Sequence, residues 1–137
     1  MPREDLWILP GVRTPFCEVD GELAERDAIE MSVPVAQAMD DQVDDGTDLV
    51  VWGSVAPNLR YSNIAREVCI DAELDGNIPA HSTTMACSTS MAAVFDAAGI
   101  VGHGGRSVAM CGGVEAMSNV QIRSEERRVG KECIVKC

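Results

Sequence analysis

The sequence predicts an α/β fold: a mainly parallel sheet with alternating helices. Two observations carry the parallel sheet. Short apolar runs alternate along the chain with longer segments of helical periodicity. The order strand, helix, strand, helix, strand, helix, strand needs crossovers, which in such folds are parallel and right-handed.

Taken in order, residues 6–9 (LWIL) predict a short buried strand that ends at Pro10-Gly11. Residues 22–39 place Leu23, Ile29, Val33, Ala36 and Met39 at helical spacing, with Pro34 as an interruption, kink or boundary. An acidic loop fills 40–48. Residues 48–53 (DLVVWG) are apolar through their middle, as in a strand covered on both faces. Residues 59–72 predict a helix with Asn63 near its start and Ile64, Val68 and Ala72 on one face. A third strand is expected over 78–86. A third helix is expected over 88–102, apolar all round and therefore buried. Residues 106–111 (RSVAMC) predict the fourth strand, ending at Gly112-Gly113. In sheets of this kind chemistry collects at the carboxyl ends of the strands. Those ends hold Cys87 and the Gly112-Gly113 pair.

At 137 residues and 46% apolar content the chain fits one globular domain. No apolar run reaches the ~18–20 residues of a membrane span. The charged start, MPREDLW, lacks the apolar stretch of a signal peptide, so a cytoplasmic location is expected. Six cysteines (17, 69, 87, 111, 133 and 137) form no Cys-x-x-Cys pair, which argues for reduced thiols over a zinc ribbon or disulfides. Residues 1–123 carry seven Arg, no Lys and nineteen acidic residues, a balance of −12. Such a surface disfavours nucleic acid and anionic membranes as partners and suits a high-salt cytoplasm.

Cys87 is the first candidate for chemistry. It follows a β-branched run and a small polar turn, and an apolar helix begins just after it. A thiol at a helix N-terminus meets the dipole and free N–H groups, which favour the thiolate, the form that attacks acyl carbonyls. A buried structural cysteine is the competing reading.

Three segments then resemble the thiolase family, in its N-terminal half. Gly11-Val12-Arg13-Thr14-Pro15 is similar to the turn after the family's first strand. Thr84-Met85-Ala86-Cys87-Ser88-Thr89-Ser90 resembles the loop around its acyl-accepting cysteine. Gly112-Gly113-Val114-Glu115-Ala116-Met117-Ser118 resembles the segment after the following strand. Each also has a plain reading: an ordinary turn at Arg13, close backbone packing at the glycines, a hydrogen-bonded loop carboxylate at Glu115. Cys87-Ser88-Thr89-Ser90 departs from the Cys-x-Ser-Gly of many members, and Thr84 stands where many have Asn. The Thr-Met-Ala-Cys form is similar to the fatty-acid-oxidation branch.

The resemblance implies an acyltransferase of fatty acid β-oxidation that cleaves 3-ketoacyl-CoA with CoA through an acyl-cysteine at Cys87. It implies that the Cys87 backbone N–H helps bind the oxyanion, that CoA is substrate and that no resident cofactor is needed. It implies a homo-oligomer and a hydratase/dehydrogenase partner subunit. It also implies a His in a Gly-His-Pro motif and a second Cys in a Cys-x-Gly-Gly-Gly-type motif, neither of which occurs in these residues. His103 has a Gly on each side and is expected to cap a helix. His81 is expected to lie on the order of 20 Å from Cys87, at about 3.3 Å per strand residue. Residues 1–123 are therefore expected to be a partial thiolase N-terminal domain, inactive by itself. Residues 124–137, where the only lysines occur and the charge balance turns to +1, are expected to be an unrelated or erroneous tail. The alternatives are a non-catalytic half-domain and a fragment of another condensing enzyme of the superfamily.

Overall fold

In a computed structural model of the chain, the described residues are 5–56 and 60–120. The expected tail at 124–137 lies outside them. The elements are α1 (Ala28–Asp40), β1 (Leu49–Gly53), α2 (Ile64–Asp71), β2 (Ala80–Thr83), α3 (Thr89–Gly102) and β3 (Ala109–Gly113), then a short 3-10 turn, Met117–Asn119.

The three strands form one parallel sheet in the order β2-β1-β3. Central β1 (LVVWG) is buried at every position. Its alternating side chains divide the core, because successive strand residues point to opposite faces. Val50 and Trp52 pack with Ala36, Ile64, Val68 and Met110, on the side of α1 and α2. Leu49 and Val51 pack with Ala93 and Ala97 of α3. Burial of a valine such as Val50, Val51 or Val68, each 0% exposed, is worth about 1.5–3 kcal/mol. The parallel sheet, with β1 covered on both faces, is the one the sequence pattern predicts.

Helix starts follow from their caps. Asp27 accepts hydrogen bonds from the N–H groups of Ile29 and Glu30, while the Glu30 carboxylate accepts from the Asp27 N–H. This capping box satisfies donors that the first turn would leave open. It starts α1 at Ala28, six residues beyond the expected Glu22. Pro34 does not end the helix; it stands on the exposed side, where water reaches the carbonyl left without its donor. Asn63 caps α2 by accepting from the Arg66 N–H, so that helix begins at Ile64, not 59. Trp52 sits 4% exposed, and its Nε1–H donates to Ser32 Oγ at 3.1 Å. Ser32 in turn donates to the Ala28 carbonyl at 2.7 Å, so the buried polar atoms are satisfied.

Two expectations are corrected. Residues 6–9 form no strand: Trp7 is 85% and Ile8 90% exposed. An apolar run becomes a strand only with a ladder to join, and the described sheet pairs β1 with β2 and β3 only. Helix α3 is not buried all round. Thr89, Ala92, Ala93 and Ala97 face the sheet, whereas Met91 and Phe95 are 56% and 69% exposed. Uniform apolarity removed the periodic signal that would have marked the covered side.

The strand ends are closed tightly against α3 and the core. A Cβ on Gly53 would strike the Thr89 side chain and come within 2.8 Å of the Thr83 carbonyl oxygen. One on Gly112 would lie 2.8 Å from the Trp52 ring. One on Gly113 would lie 2.5 Å from Ser90 Oγ and 3.2 Å from the Gly53 carbonyl oxygen, a looser backbone contact than the 2.8 Å at Gly53. Ser90 is exposed and can turn away, but backbone and a hydrogen-bonded indole cannot. Gly53→Ala and Gly112→Ala should each destabilise by about 1–3 kcal/mol, the range for overpacked cores. Gly113→Ala should cost less, and urea denaturation of the three variants would show the ranking. Equal costs at Gly53 and Gly113 would refute it.

Burial raises the thiols of Cys69 and Cys111 above their ordinary value of 9.0; at Cys69 the Arg66 charge partly opposes it. In the unfolded chain these thiols ionise first as pH rises. The unfolded state therefore binds fewer protons above 9, and stability falls there. The urea midpoint should drop between about pH 8 and pH 10. The drop should shrink in the Cys69→Ala, Cys111→Ala double variant, and an unchanged drop would exclude both thiols as its cause.

Candidate active site

The carboxyl ends of the strands carry the loops that matter. Chain leaves β1 through α2 to reach β2 on one side, then returns through α3 to β3 on the other side. In open sheets of this kind such a reversal of direction marks the carboxyl-end edge where ligands bind.

Cys87 lies at this edge, two residues before the first helical residue of α3. The expected third strand stops at Thr83, three residues short of 86, because residues 84–88 fold into a sharp turn. The Ser88 N–H donates to the Met85 carbonyl at 2.9 Å and the Thr89 N–H to the Ala86 carbonyl at 3.1 Å. Thr89, itself 5% exposed, braces the turn from inside. Its Oγ1 donates to the Ala86 carbonyl and accepts from the Met85 N–H, both at 2.8 Å. Ala86 has φ +45°, a left-handed conformation that costs a non-glycine residue about 1–2 kcal/mol. The turn holds that strain immediately before the cysteine.

This arrangement turns Cys87 outward. Its residue is exposed, while Cys69 is buried and Cys111 half-buried in strand β3. Cys17 is exposed in the N-terminal segment and belongs to no helix start. Ser88, the N-cap of α3, makes no side-chain capping bond. A helix start of this kind offers its dipole to an anion. Among the described residues, Cys87 is thus the thiol combining access with a helix terminus.

The third motif does structural work here. Gly112 and Gly113 serve close packing, on Trp52 and on Ser90. The Glu115 carboxylate accepts from the Val55 N–H at 2.8 Å and the Ala56 N–H at 3.3 Å, and shares the Ser54 hydroxyl, 3.4 Å away, with the Ala56 carbonyl at 3.3 Å. It pins the loop after β1. Ser118 Oγ accepts from the Asp20 N–H, and Asn119 Nδ2 donates to the carbonyls of Ala24 and Arg26. Together they anchor the chain that leads into α1.

Arg13 stays local: it donates to the Thr14 carbonyl and lies 5.5 Å from the Phe16 ring centre. His103 is the C-cap of α3, with Nδ1 2.6 Å from the Gly99 carbonyl oxygen, as the sequence suggests. His81 is exposed on β2, paired with Val51. Neither histidine is hydrogen-bonded to the Cys87 turn among the described residues. Sequence reasoning missed Thr89 as the brace and Thr84, whose Oγ1 donates to the Ser54 carbonyl at 2.9 Å. Their hydroxyls are visible in the sequence, but their partners depend on the fold. No group of three or more His, Cys, Asp or Glu poised for a metal occurs among the described residues. No described helix is long and apolar enough to cross a membrane.

Comparison with known proteins follows the same lines. The thiolase N-terminal domain family matches residues 6–134, past residue 123 and into the tail. The chain is 32% identical over 124 residues to the mitochondrial trifunctional enzyme subunit beta of Bos taurus, covering 88% of this chain and 26% of that protein. It is 30% identical over 122 residues to the 3-ketoacyl-CoA thiolase of Vibrio cholerae, covering 87% and 28%. The crystal structure of the Bacillus anthracis acetyl-CoA acetyltransferase superposes with a TM-score of 0.66 at 27% identity, covering 72% of this chain and 26% of that one. This chain thus spans about a quarter of the length of these relatives. With the fold, the order of motifs and the family match in agreement, the chain belongs to the thiolase family, within its N-terminal domain.

Proposed function

We propose that Cys87 is the acyl-accepting nucleophile of a thiolase that cleaves 3-ketoacyl-CoA with CoA in fatty acid β-oxidation. The observation that carries the reading is the exposed thiol on a braced, strained turn at the start of α3. Relatives named 3-ketoacyl-CoA thiolase and trifunctional enzyme subunit beta support the substrate class.

In this reading the Cys87 thiolate attacks carbon 3 of the substrate and forms the carbon–sulfur bond. The carbonyl pair moves onto oxygen, where the Cys87 backbone N–H helps hold the oxyanion. Collapse breaks the bond between carbons 2 and 3. The electron pair leaves on carbon 2, which takes a proton to become acetyl-CoA. CoA thiol then attacks the acyl-cysteine, yielding a shortened acyl-CoA and returning the thiolate. Activating Cys87 and moving the carbon-2 proton fall to the Gly-His-Pro and Cys-x-Gly-Gly-Gly-type motifs that the family resemblance implies, neither present in these 137 residues. CoA is a substrate here. The homo-oligomer and the hydratase/dehydrogenase partner subunit belong to the same reading.

Alkylation by iodoacetamide, read peptide by peptide in a mass spectrometer, should find Cys87 fastest. Cys69 and Cys111 should lag, since burial raises both thiols. Faster reaction at Cys17 in the folded chain would sink the assignment. The 137 residues as they stand should show no turnover of 3-ketoacyl-CoA, because general acid–base groups each contribute about 10²–10⁴-fold. Turnover that disappears in Cys87→Ala would overturn that expectation.

A further inference from the structure

We propose that Glu115 is a positioning residue for Cys87, acting through the 54–56 loop and Thr84; the proposal rests on Cys87 as the nucleophile. Glu115 follows β3, and Cys87 follows β2, so β1 stands between their strands. The loop after β1 spans that gap. On one side Glu115 accepts from the Val55 and Ala56 N–H groups and from the Ser54 hydroxyl. On the other side the Ser54 carbonyl accepts from Thr84 Oγ1 at 2.9 Å, three residues before Cys87.

The chemistry suits a brace. A carboxylate that takes two backbone N–H groups forms charge-assisted bonds, stronger than neutral ones. The loop is also held at its base, where the Val114 N–H donates to the Gly53 carbonyl at 2.9 Å. Ser54 is therefore fixed from its own strand and from Glu115. Thr84 is the residue through which that rigidity reaches the cysteine turn. Beyond it lies Ala86 in the left-handed region, a conformation that persists only where its surroundings impose it. Thr89 supplies that restraint from the helix side, and Thr84 supplies it from the sheet side. Release of the sheet side lets the turn relax and swings Cys87 off the helix terminus.

Glu115→Gln keeps the size but removes the charge and turns an amide donor toward the loop N–H groups. Thr84→Val keeps the shape but removes the hydroxyl, and Thr84→Ser restores it. The readout is the iodoacetamide rate at Cys87, with Cys17 as an exposed reference and Cys69, 1% exposed, as a sentinel of global unfolding. Glu115→Gln and Thr84→Val should slow Cys87 about two- to fivefold, the span of helix-terminus electrostatics. Thr84→Ser should return it to the wild-type rate. Cys17 and Cys69 should not change. An unchanged Cys87 rate in either Glu115→Gln or Thr84→Val would overturn the proposal, as would failure of Thr84→Ser to rescue. Should Glu115→Gln expose Cys69, Glu115→Asp, which keeps the charge but shortens its reach to the loop, takes its place with the same expected slowing, and an unchanged Cys87 rate there would overturn the proposal. A wild-type Cys87 no faster than Cys17 would count against the nucleophile, while the variant-to-wild-type ratio at Cys87 would still decide the positioning role.

Discussion

The enclosure of β1 is the constraint on which the rest depends. Leu49–Gly53 is paired on both edges and covered on both faces. Its side chains alternate between two cores, and its last residue has no room for a Cβ. A strand enclosed in this way fixes the level at which its neighbours end. Thr83 and Gly113 both pair with Gly53, so the loops that follow all three strands emerge along one edge. The candidate site exists because that edge is level.

From this edge the site is assembled by short polar contacts. Gly53 lets the start of α3 approach the sheet, and Thr89 sits in the space gained. The same threonine closes the turn that presents Cys87. A buried residue thus sets the geometry of an exposed one. Strain at Ala86 is sustained by bonds on both sides, as expected where a turn must hold one orientation for a thiol.

Much of this was legible in the sequence, and the gaps have physical causes. The apolar runs in 48–53 and 106–111 located β1 and β3; β1, buried at every position, needs no alternation, while β3 is buried only at Met110. Cys87 stood out by its place between strand and helix, and the structure keeps it exposed there. Boundaries failed where a side chain decides them. Asp27 delays α1, Asn63 delays α2, and Asp48 accepts from the Ser107 and Val108 N–H groups, so β3 begins at Ala109 instead of 106. The run at 6–9 was misread because apolarity alone does not supply a partner strand. Glu115 was visible as a motif residue, but its work lies sixty residues away in sequence, at Val55.

The acidic composition finds a structural use in these same contacts. Arg26 and Glu30 lie 3.9 Å apart on an exposed face, a pair of the kind that contributes little. No described helix has a basic residue in its last turn, and α1 ends on Asp40 with Asp41 as its cap, against its own dipole. The two cores, not this exposed pair, carry the stability of the described residues. The carboxylates act instead as acceptors for backbone N–H groups: Asp27 for α1, Asp40 for Thr47, Asp48 for Ser107 and Val108, Asp75 for Asn77 and Glu115 for Val55. Each satisfies a donor that a loop would otherwise leave open. In a chain whose first 123 residues contain no lysine, that use needs no cation beside it. Glu115 differs from the others in where its loop leads, which is to Thr84 and the turn that carries Cys87.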